Sequence, residues 1–379
     1  MLKIPLKKVA VIIGTRPEAI KMAPVIHALK AEENIQTTVI STGQHKELLD
    51  HVTKLFDIEV DHSLDIMRSN QTLAGITSKV VSMLDDLFQK ERYDLILVHG
   101  DTTTAMGGAL AGFYNKIKVG HVEAGLRTND IYAPFPEEVN RKIISSIAYK
   151  NYAPTINSQE NLLSENIDKS KIKITGNTVI DALFYVLERV ESGGISIGED
   201  ILSLVENNEK KYLLVTGHRR ENFGEGFISI CSALRQLALN NSELEIIYPV
   251  HLNPNVKKVV HKHLSDLENV HLIPPLDYSS FIFLMSKSFI ILTDSGGVQE
   301  EAPSLGIPVL VMREKTERPE AVTSGTVKIV GTNTDLIIKE VQNLLSNKRY
   351  YAAMSEKLNP YGDGKASKRI IEDILKFDF

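Results

Sequence analysis

The chain has 379 residues, 43% hydrophobic and 24% charged, with a formal net charge of −5 and one cysteine, Cys231. That length exceeds one ordinary core and points to about two domains, while the slight acidity gives no reason to expect nucleic acid or an anionic membrane as partner. A single cysteine excludes an intrachain disulfide and a cysteine-cluster metal site, and with Ile230 and Ala233 beside it Cys231 reads as a small core residue.

In chain order, the opening MLKIPLKK lacks the apolar segment of a signal peptide, and no later run approaches the ~20 apolar residues that span a bilayer. The cytoplasm is the expected location. Residues 9–13, VAVII, have the continuous apolar character of a strand buried on both faces, and GTRPE at 14–18 turns into a helix expected over 19–31. The loop holds one glycine, so it is not the GxGxxG fingerprint, and no Walker sequence occurs anywhere; NAD and ATP are disfavoured. Arg16 and Lys21 bracket the helix start, where positive charge opposes the dipole unless an anion binds. The alternative is a pair of solvated surface cations.

A strand at 38–40 leads to GQH at 43–45, and an amphipathic helix is expected from Gln71 to about Lys90. DLILV at 94–98 runs into HGDT at 99–102, and KVGH at 118–121 into VEAGLR at 122–127. Ligands of open parallel sheets bind at the carboxyl ends of strands, so Asp101 and Glu123 are expected to meet in one crevice. A Pro-rich turn, APFP at 133–136, precedes Glu137, Glu138 and a further helix; simple capping by these acids is one reading. Three acids near one crevice favour acid–base work instead.

The first half is expected to end near TGNT at 175–178, with a polar surface connection over 191–210. The alternation of strand and helix then restarts. YLLV at 212–215 leads into the polar run TGHRREN at 216–222 that includes His218, LEIIYPV at 244–250 into His251, and FIIL at 289–292 into DSGGVQEE at 294–301. His218 lies in a loop at a strand end, where histidine more often binds or catalyses than packs. Ser295, Gly296 and Gly297 offer a tight turn whose backbone N–H groups can approach phosphate, and Arg313 and Arg318 follow the next strand. Carboxylates would repel phosphate, so at least one of Glu300 and Glu301 is expected to face neutral hydroxyls such as those of a ribose. No histidine pair has metal-ligand spacing. NPYGDG at 359–364 breaks the chain before a last helix over 366–376.

Together GTRPEAIKMAP (14–24), HGDT (99–102), HVEAGLRT (121–128), PFPEEVNR (134–141), TGNTVIDAL (175–183), GHRREN (217–222), PVHLNP (249–254), DSGGVQEEAPSLG (294–306), TERPEAV (316–322) and NPYGDG (359–364) resemble the bacterial non-hydrolysing UDP-N-acetylglucosamine 2-epimerases. The resemblance runs nearly end to end. It implies an α/β fold of two Rossmann-like domains with an interdomain cleft, of the glycosyltransferase-B type: residues 1–180, and a UDP-binding domain at 181–361, with the helix of 362–379 packing back on the first. It also implies a homodimer that interconverts UDP-GlcNAc and UDP-ManNAc for surface polysaccharide synthesis, without cofactor, metal or nicotinamide. The competing enzyme is the hydrolysing relative, which releases free ManNAc and UDP.

Residue by residue, the resemblance makes Asp101, Glu123 and Glu137 the acid–base candidates, with neither face of the sugar assigned to one of them, and has His218 stabilise or protonate the leaving diphosphate. Arg16, Lys21, Ser295, Gly296 and Arg318 would hold phosphates, Glu301 the ribose, and Phe281 would lie near the uracil. A second UDP-GlcNAc, bound as activator, would meet Gln44, Gln71, Arg219 and His251. Glu47 stands where some relatives have a glutamine at an activator contact.

Overall fold

The computed structural model describes residues 6–43, 46–67, 71–207 and 209–377. The chain divides into two compact units, Met1–Tyr185 with Tyr361–Phe379, and Val186–Pro360.

In the first unit, the strands β1 (Lys7–Ile13), β2 (Ile35–Ser41), β3 (His62–Ser63), β4 (Leu95–His99), β5 (Lys118–Val122), β6 (Lys150–Ala153) and β7 (Ile172–Ile174) form a sheet of order β3-β2-β1-β4-β5-β6-β7. Every pairing is parallel. Parallel strands need crossovers, which the helices α1 (Arg16–Lys30), α2 (Lys46–Leu55), α3 (Leu73–Lys90), α4 (Thr103–Tyr114), α5 (Glu137–Ile147) and α6 (Ile156–Ser164) provide. The run 9–13 is wholly buried, as expected of a central strand. On α3 the buried residues Ile76, Val80, Leu84 and Phe88 recur every fourth position, a stripe that packs on Ala10, Ile12, Ile96 and Val98 of the sheet. The order reverses direction between β1 and β4, so the loops after those strands flank the switch point where such sheets bind ligands.

α1 begins at Arg16, earlier than expected. Thr15 caps it and Glu18 bonds back to the Thr15 backbone, a capping box that fixes the first turn three residues before the apolar periodicity starts. α7 (Thr178–Glu191) carries the chain out of this unit.

In the second unit, β8 (Lys211–Thr216), β9 (Leu244–Pro249), β10 (Val270–Ile273), β11 (Ile290–Thr293), β12 (Val309–Val311) and β13 (Val327–Ile329) repeat the arrangement as β10-β9-β8-β11-β12-β13, again all parallel. Its helices are α8 (Glu199–Ser203), α9 (Glu225–Asn240), α10 (Pro254–Leu264), α11 (Tyr278–Lys287), α12 (Gly296–Glu301), α13 (Pro319–Ser324), α14 (Thr334–Ser346) and α15 (Lys348–Ser355). Phe227, Ile230, Cys231, Leu234 and Leu237 of α9 close the core over Leu213, Val215, Ile246 and Tyr248. Burial pushes the Cys231 thiol up to about 12, consistent with a packing residue. The switch point here lies between β8 and β11.

α16 (Ala366–Ile374) belongs to the first unit. Asp181 caps it, accepting from the backbone N–H of Ala366 at 3.1 Å and of Ser367 at 2.8 Å, and Arg369 donates to the Thr175 carbonyl at 3.0 Å. Both Rossmann-like units of the expected α/β architecture are thus present. Among the described residues no helix is long and apolar enough to cross a membrane.

Candidate active site

The first unit gathers its polar residues at the carboxyl ends of β1, β4 and β5. Glu18 is fully buried and accepts from the N–H of Gly14 at 3.0 Å, the N–H of Thr15 at 2.7 Å, and the Thr102 hydroxyl at 2.6 Å. Burial raises its pKa and these hydrogen bonds oppose the rise. The effect is to tie the loop after β1 to the loop after β4. Arg16, half-buried, is the first residue of α1 above this knot.

Glu123 immediately follows β5 with φ of +63°, in the left-handed region that costs a non-glycine residue on the order of 1–3 kcal/mol. The conformation turns its carboxylate onto two donors, the Lys21 ammonium and Asn177 Nδ2, the latter at 2.8 Å. Lys21 is therefore engaged by a carboxylate here, a pairing across 102 residues that the phosphate reading did not anticipate. Asp101 is ion-paired with Arg141 at 2.6 Å, and its carbonyl accepts from Asn140 Nδ2 at 2.8 Å. Each acid is thus balanced by a cation, so the arrangement is not one of bare mutual repulsion.

The two acids that open α5 have separate fates. Glu138 is fully buried and accepts from the N–H groups of Thr128 and Asn129, both at 3.1 Å, which fixes the preceding loop. Glu137 has a buried Oε2 that is without a hydrogen-bond partner. Its neighbour Asn140 reaches Asp101, so the start of α5 lies at the end of β4. Asp101 and Glu123 also converge, since both act electrostatically on the buried His99, whose Nε2 is 3.8 Å from Glu123.

His99 and His121 are each pulled down to about 4, chiefly by burial. Unfolded, they titrate near 6.5. Between those values the unfolded chain binds protons that the folded unit does not, so stability is retained above pH 6.5 and falls as pH drops toward 4. Urea midpoints should follow that course, and His121→Gln should flatten it. A midpoint equally pH-dependent in that variant would show that other groups govern acid unfolding.

In the second unit the corresponding loops are those after β8 and β11. The buried Asp294 accepts from the backbone N–H of His218 and of Arg219, both at 2.8 Å, and its Oδ1 lies 3.3 Å from His218 Nδ1. The His218 ring stacks on that of His251, centroids 5.5 Å apart. His218 is shifted down first by burial, with Arg219 and His251 adding to the shift and Asp294 opposing it.

The Ser295–Gly296–Gly297 turn opens α12, which is only six residues long before a 3-10 turn containing Pro303, shorter than the helix the sequence suggests. The Arg318 guanidinium lies over Gly296, where a Cβ would come within 3.8 Å of it, and Arg318 Nε donates to the buried Glu300. That pairing places Glu300 on the arginine, while Glu301 accepts from the Tyr278 hydroxyl at 2.7 Å. Phe281 follows Tyr278 by one helical turn on α11 and is half-buried. Arg313 donates to Glu221 at 2.7 Å and lies 3.8 Å from Glu317. If Arg318 holds a phosphate, as the sequence resemblance implies, Arg318→Ala should weaken UDP binding by about tenfold or more, the value of one charge-assisted contact to phosphate. Calorimetric titration with UDP checks this, and undiminished affinity would remove Arg318 from the phosphate set.

Of the four residues expected to meet an activator, Gln44 lies outside the described residues, as does the side chain of Glu47. Gln71 donates to the Ile66 carbonyl at 3.0 Å just before α3. Arg219 has a buried Nε without a hydrogen-bond partner, and His251 Nδ1 accepts from the N–H of Asn253 at 3.1 Å. Sequence reasoning missed Asn177, Arg141 and the carboxylate of Asp294. The available signal was their place at strand ends or, for Arg141, one helical turn after Glu137.

A family model described as UDP-N-acetylglucosamine 2-epimerase matches residues 27–375. The UDP-N-acetylglucosamine 2-epimerase of Campylobacter jejuni is 51% identical over 377 residues, 98% of each chain. The crystal structure of UDP-GlcNAc 2-epimerase from Neisseria meningitidis bound to UDP-GlcNAc is 49% identical, with a TM-score of 0.86 over 98% of this chain and 100% of that one. MurG of Acinetobacter baumannii, 14% identical, shares the fold alone, with a TM-score of 0.63 over 98% of this chain and 100% of that one.

Proposed function

Because the chain belongs to the UDP-N-acetylglucosamine 2-epimerase family, we propose that it interconverts UDP-GlcNAc and UDP-ManNAc reversibly, without releasing free sugar. C2 of the sugar has no adjacent carbonyl, so its proton is too weakly acidic for simple abstraction. Departure of UDP makes removal feasible. A carboxylate takes the C2 proton, the C1–O bond breaks with its electron pair going to the diphosphate, and C1=C2 forms to give 2-acetamidoglucal. UDP then adds back to C1 as C2 receives a proton on the opposite face. Inversion therefore needs acid–base groups on two faces of one ring.

The observation that carries this reading is the convergence of Asp101, Glu123 and the start of α5 at Glu137 on the ends of two neighbouring strands, each of the first two held by its own donors. In the second unit, Ser295, Gly296 and Arg318 serve the diphosphate, Glu301 the ribose and Phe281 the uracil, with His218 facing the departing phosphate. Arg16 is a further phosphate candidate on the sequence resemblance, and in the second unit Gly297 and Arg313 complete the surroundings of the phosphate loop. Lys21 supports phosphate binding and, through its ion pair, the orientation of Glu123.

The same reading includes a cytoplasmic homodimer supplying ManNAc-type sugars for surface polysaccharides. It also includes an activating UDP-GlcNAc bound by Gln44, Gln71, Arg219 and His251. Incubation with UDP-GlcNAc, followed by separation of nucleotide sugars from free sugars, tests the reaction type. The sum of UDP-GlcNAc and UDP-ManNAc should stay constant; free ManNAc in step with UDP would make this a hydrolysing enzyme.

A further inference from the structure

We propose that Asp294 is the positioning residue for His218, holding the imidazole with its proton on Nδ1 and Nε2 directed at the leaving diphosphate. The inference deepens the reading of His218 given above and rests on it for the direction of Nε2. Asp294 and Gly217 follow paired residues, Thr293 and Thr216, on the two strands that flank the switch point of the second sheet. That placement puts a fully buried carboxylate under the loop that carries His218.

One carboxylate oxygen, Oδ2, accepts both backbone N–H groups of the loop at 2.8 Å. The other, Oδ1, is buried without a hydrogen-bond partner, and His218 Nδ1 lies 3.3 Å from it. A buried anionic acceptor without a donor is costly, and the ring nitrogen beside it can relieve that cost only as Nδ1–H, by a small rotation of the imidazole. The opposite tautomer would set two acceptors against each other. His218 has 44% of its side chain exposed, and with Nδ1 beside the buried Asp294 we assign the exposed edge of the ring to Nε2. Nε2 is then free to carry the proton that meets negative charge developing on the phosphate oxygen as C1–O breaks.

The groups that face His218 are Asp294 from the end of β11, His251 from the end of β9 and Arg219 on its own loop. Asp294 is the one among them that favours the imidazolium. Removing its charge should therefore move the limb along which activity falls on deprotonation of His218 to lower pH.

Nitrogen-15 NMR of the histidine side chains, assigned with His218→Gln, should show Nδ1–H for His218 in the parent protein; a dominant Nε2–H tautomer would overturn the proposal. This measurement needs no turnover, so it stands apart from any failure of the epimerase reading, which would appear as parent protein inert toward UDP-GlcNAc. For Asp294→Asn we expect kcat lower by about 10²-fold, KM within about threefold and the pH limb displaced downward. Placed in the His218→Gln background, the same substitution should add little. A full additional loss there, or an unmoved limb, would mean that Asp294 merely braces the backbone.

Discussion

Glu123→Gln is expected to lower kcat for epimerisation by about 10³-fold, while KM for UDP-GlcNAc stays within a few-fold. The substitution keeps the shape of the side chain and an oxygen for Asn177 Nδ2, but removes the group proposed to accept or return a proton and the charge that pairs with Lys21. Ser295, Gly296, Glu301, Phe281 and Arg318, the residues proposed to hold the nucleotide in the other unit, are untouched, and Lys21 is the one proposed phosphate contact that loses a partner, which is why the effect should fall mainly on turnover. Glu123 is also one of few non-glycine residues with positive φ, and such positions persist where surrounding structure imposes them. Initial rates by coupled detection of UDP-ManNAc provide the check. A variant within tenfold of the parent would take Glu123 out of proton transfer.

The largest effect on stability is expected two residues further on. Gly125 has φ of +91°, and a Cβ there would stand 2.2 Å from the Ser158 carbonyl oxygen at the start of α6. Gly125→Ala therefore adds a backbone clash to an unfavourable conformation, and about 4 kcal/mol or more should be lost, enough to unfold a marginal unit. The control is Gly193→Ala, where φ is +75° but nothing lies within 4 Å of the added carbon. That change should cost only about 1 kcal/mol, the conformational part alone. Urea unfolding of both variants separates the two contributions. Equal losses would show that the 123–125 turn relaxes around the extra carbon. Because the Gly125 carbonyl also accepts from Asn161 Nδ2 at 3.0 Å, the turn that aims Glu123 is held by α6.

The strands were legible because parallel sheets covered by helices on both faces leave continuous apolar runs, and runs such as 9–13 and 289–292 say so without ambiguity. Loops at strand ends were legible for the same reason, which placed Asp101, Glu123 and His218 correctly at carboxyl edges. Local signals were partly misread. Thr15 and Glu18 spell a capping box, yet the helix was expected to start at residue 19, where apolar periodicity takes over. Pro303 carries the reason α12 stops after six residues.

Non-local pairings were not legible. Nothing near Lys21 in the sequence announces Glu123, and Asp294 stands 76 residues from His218; the strand order that brings β8 beside β11 decides that contact. Glu300 and Glu301 look equivalent as adjacent acids, and only the position of Arg318 distinguishes them. The same holds for Glu137 and Glu138, whose helix places one beneath the loop at 128–129 and leaves the other with an unpartnered oxygen.

The most direct test of the account is proton NMR of the protein with UDP-GlcNAc in deuterated water, following the anomeric signals and the signal of the hydrogen on C2. The account predicts that UDP-ManNAc accumulates to an equilibrium ratio with deuterium at C2 in both nucleotide sugars, since each crossing of the glucal intermediate replaces that hydrogen from a solvent-exchanged carboxyl group. UDP-ManNAc formed with its original C2 hydrogen fully retained would contradict proton abstraction at C2, and with it the roles given to Asp101, Glu123 and Glu137.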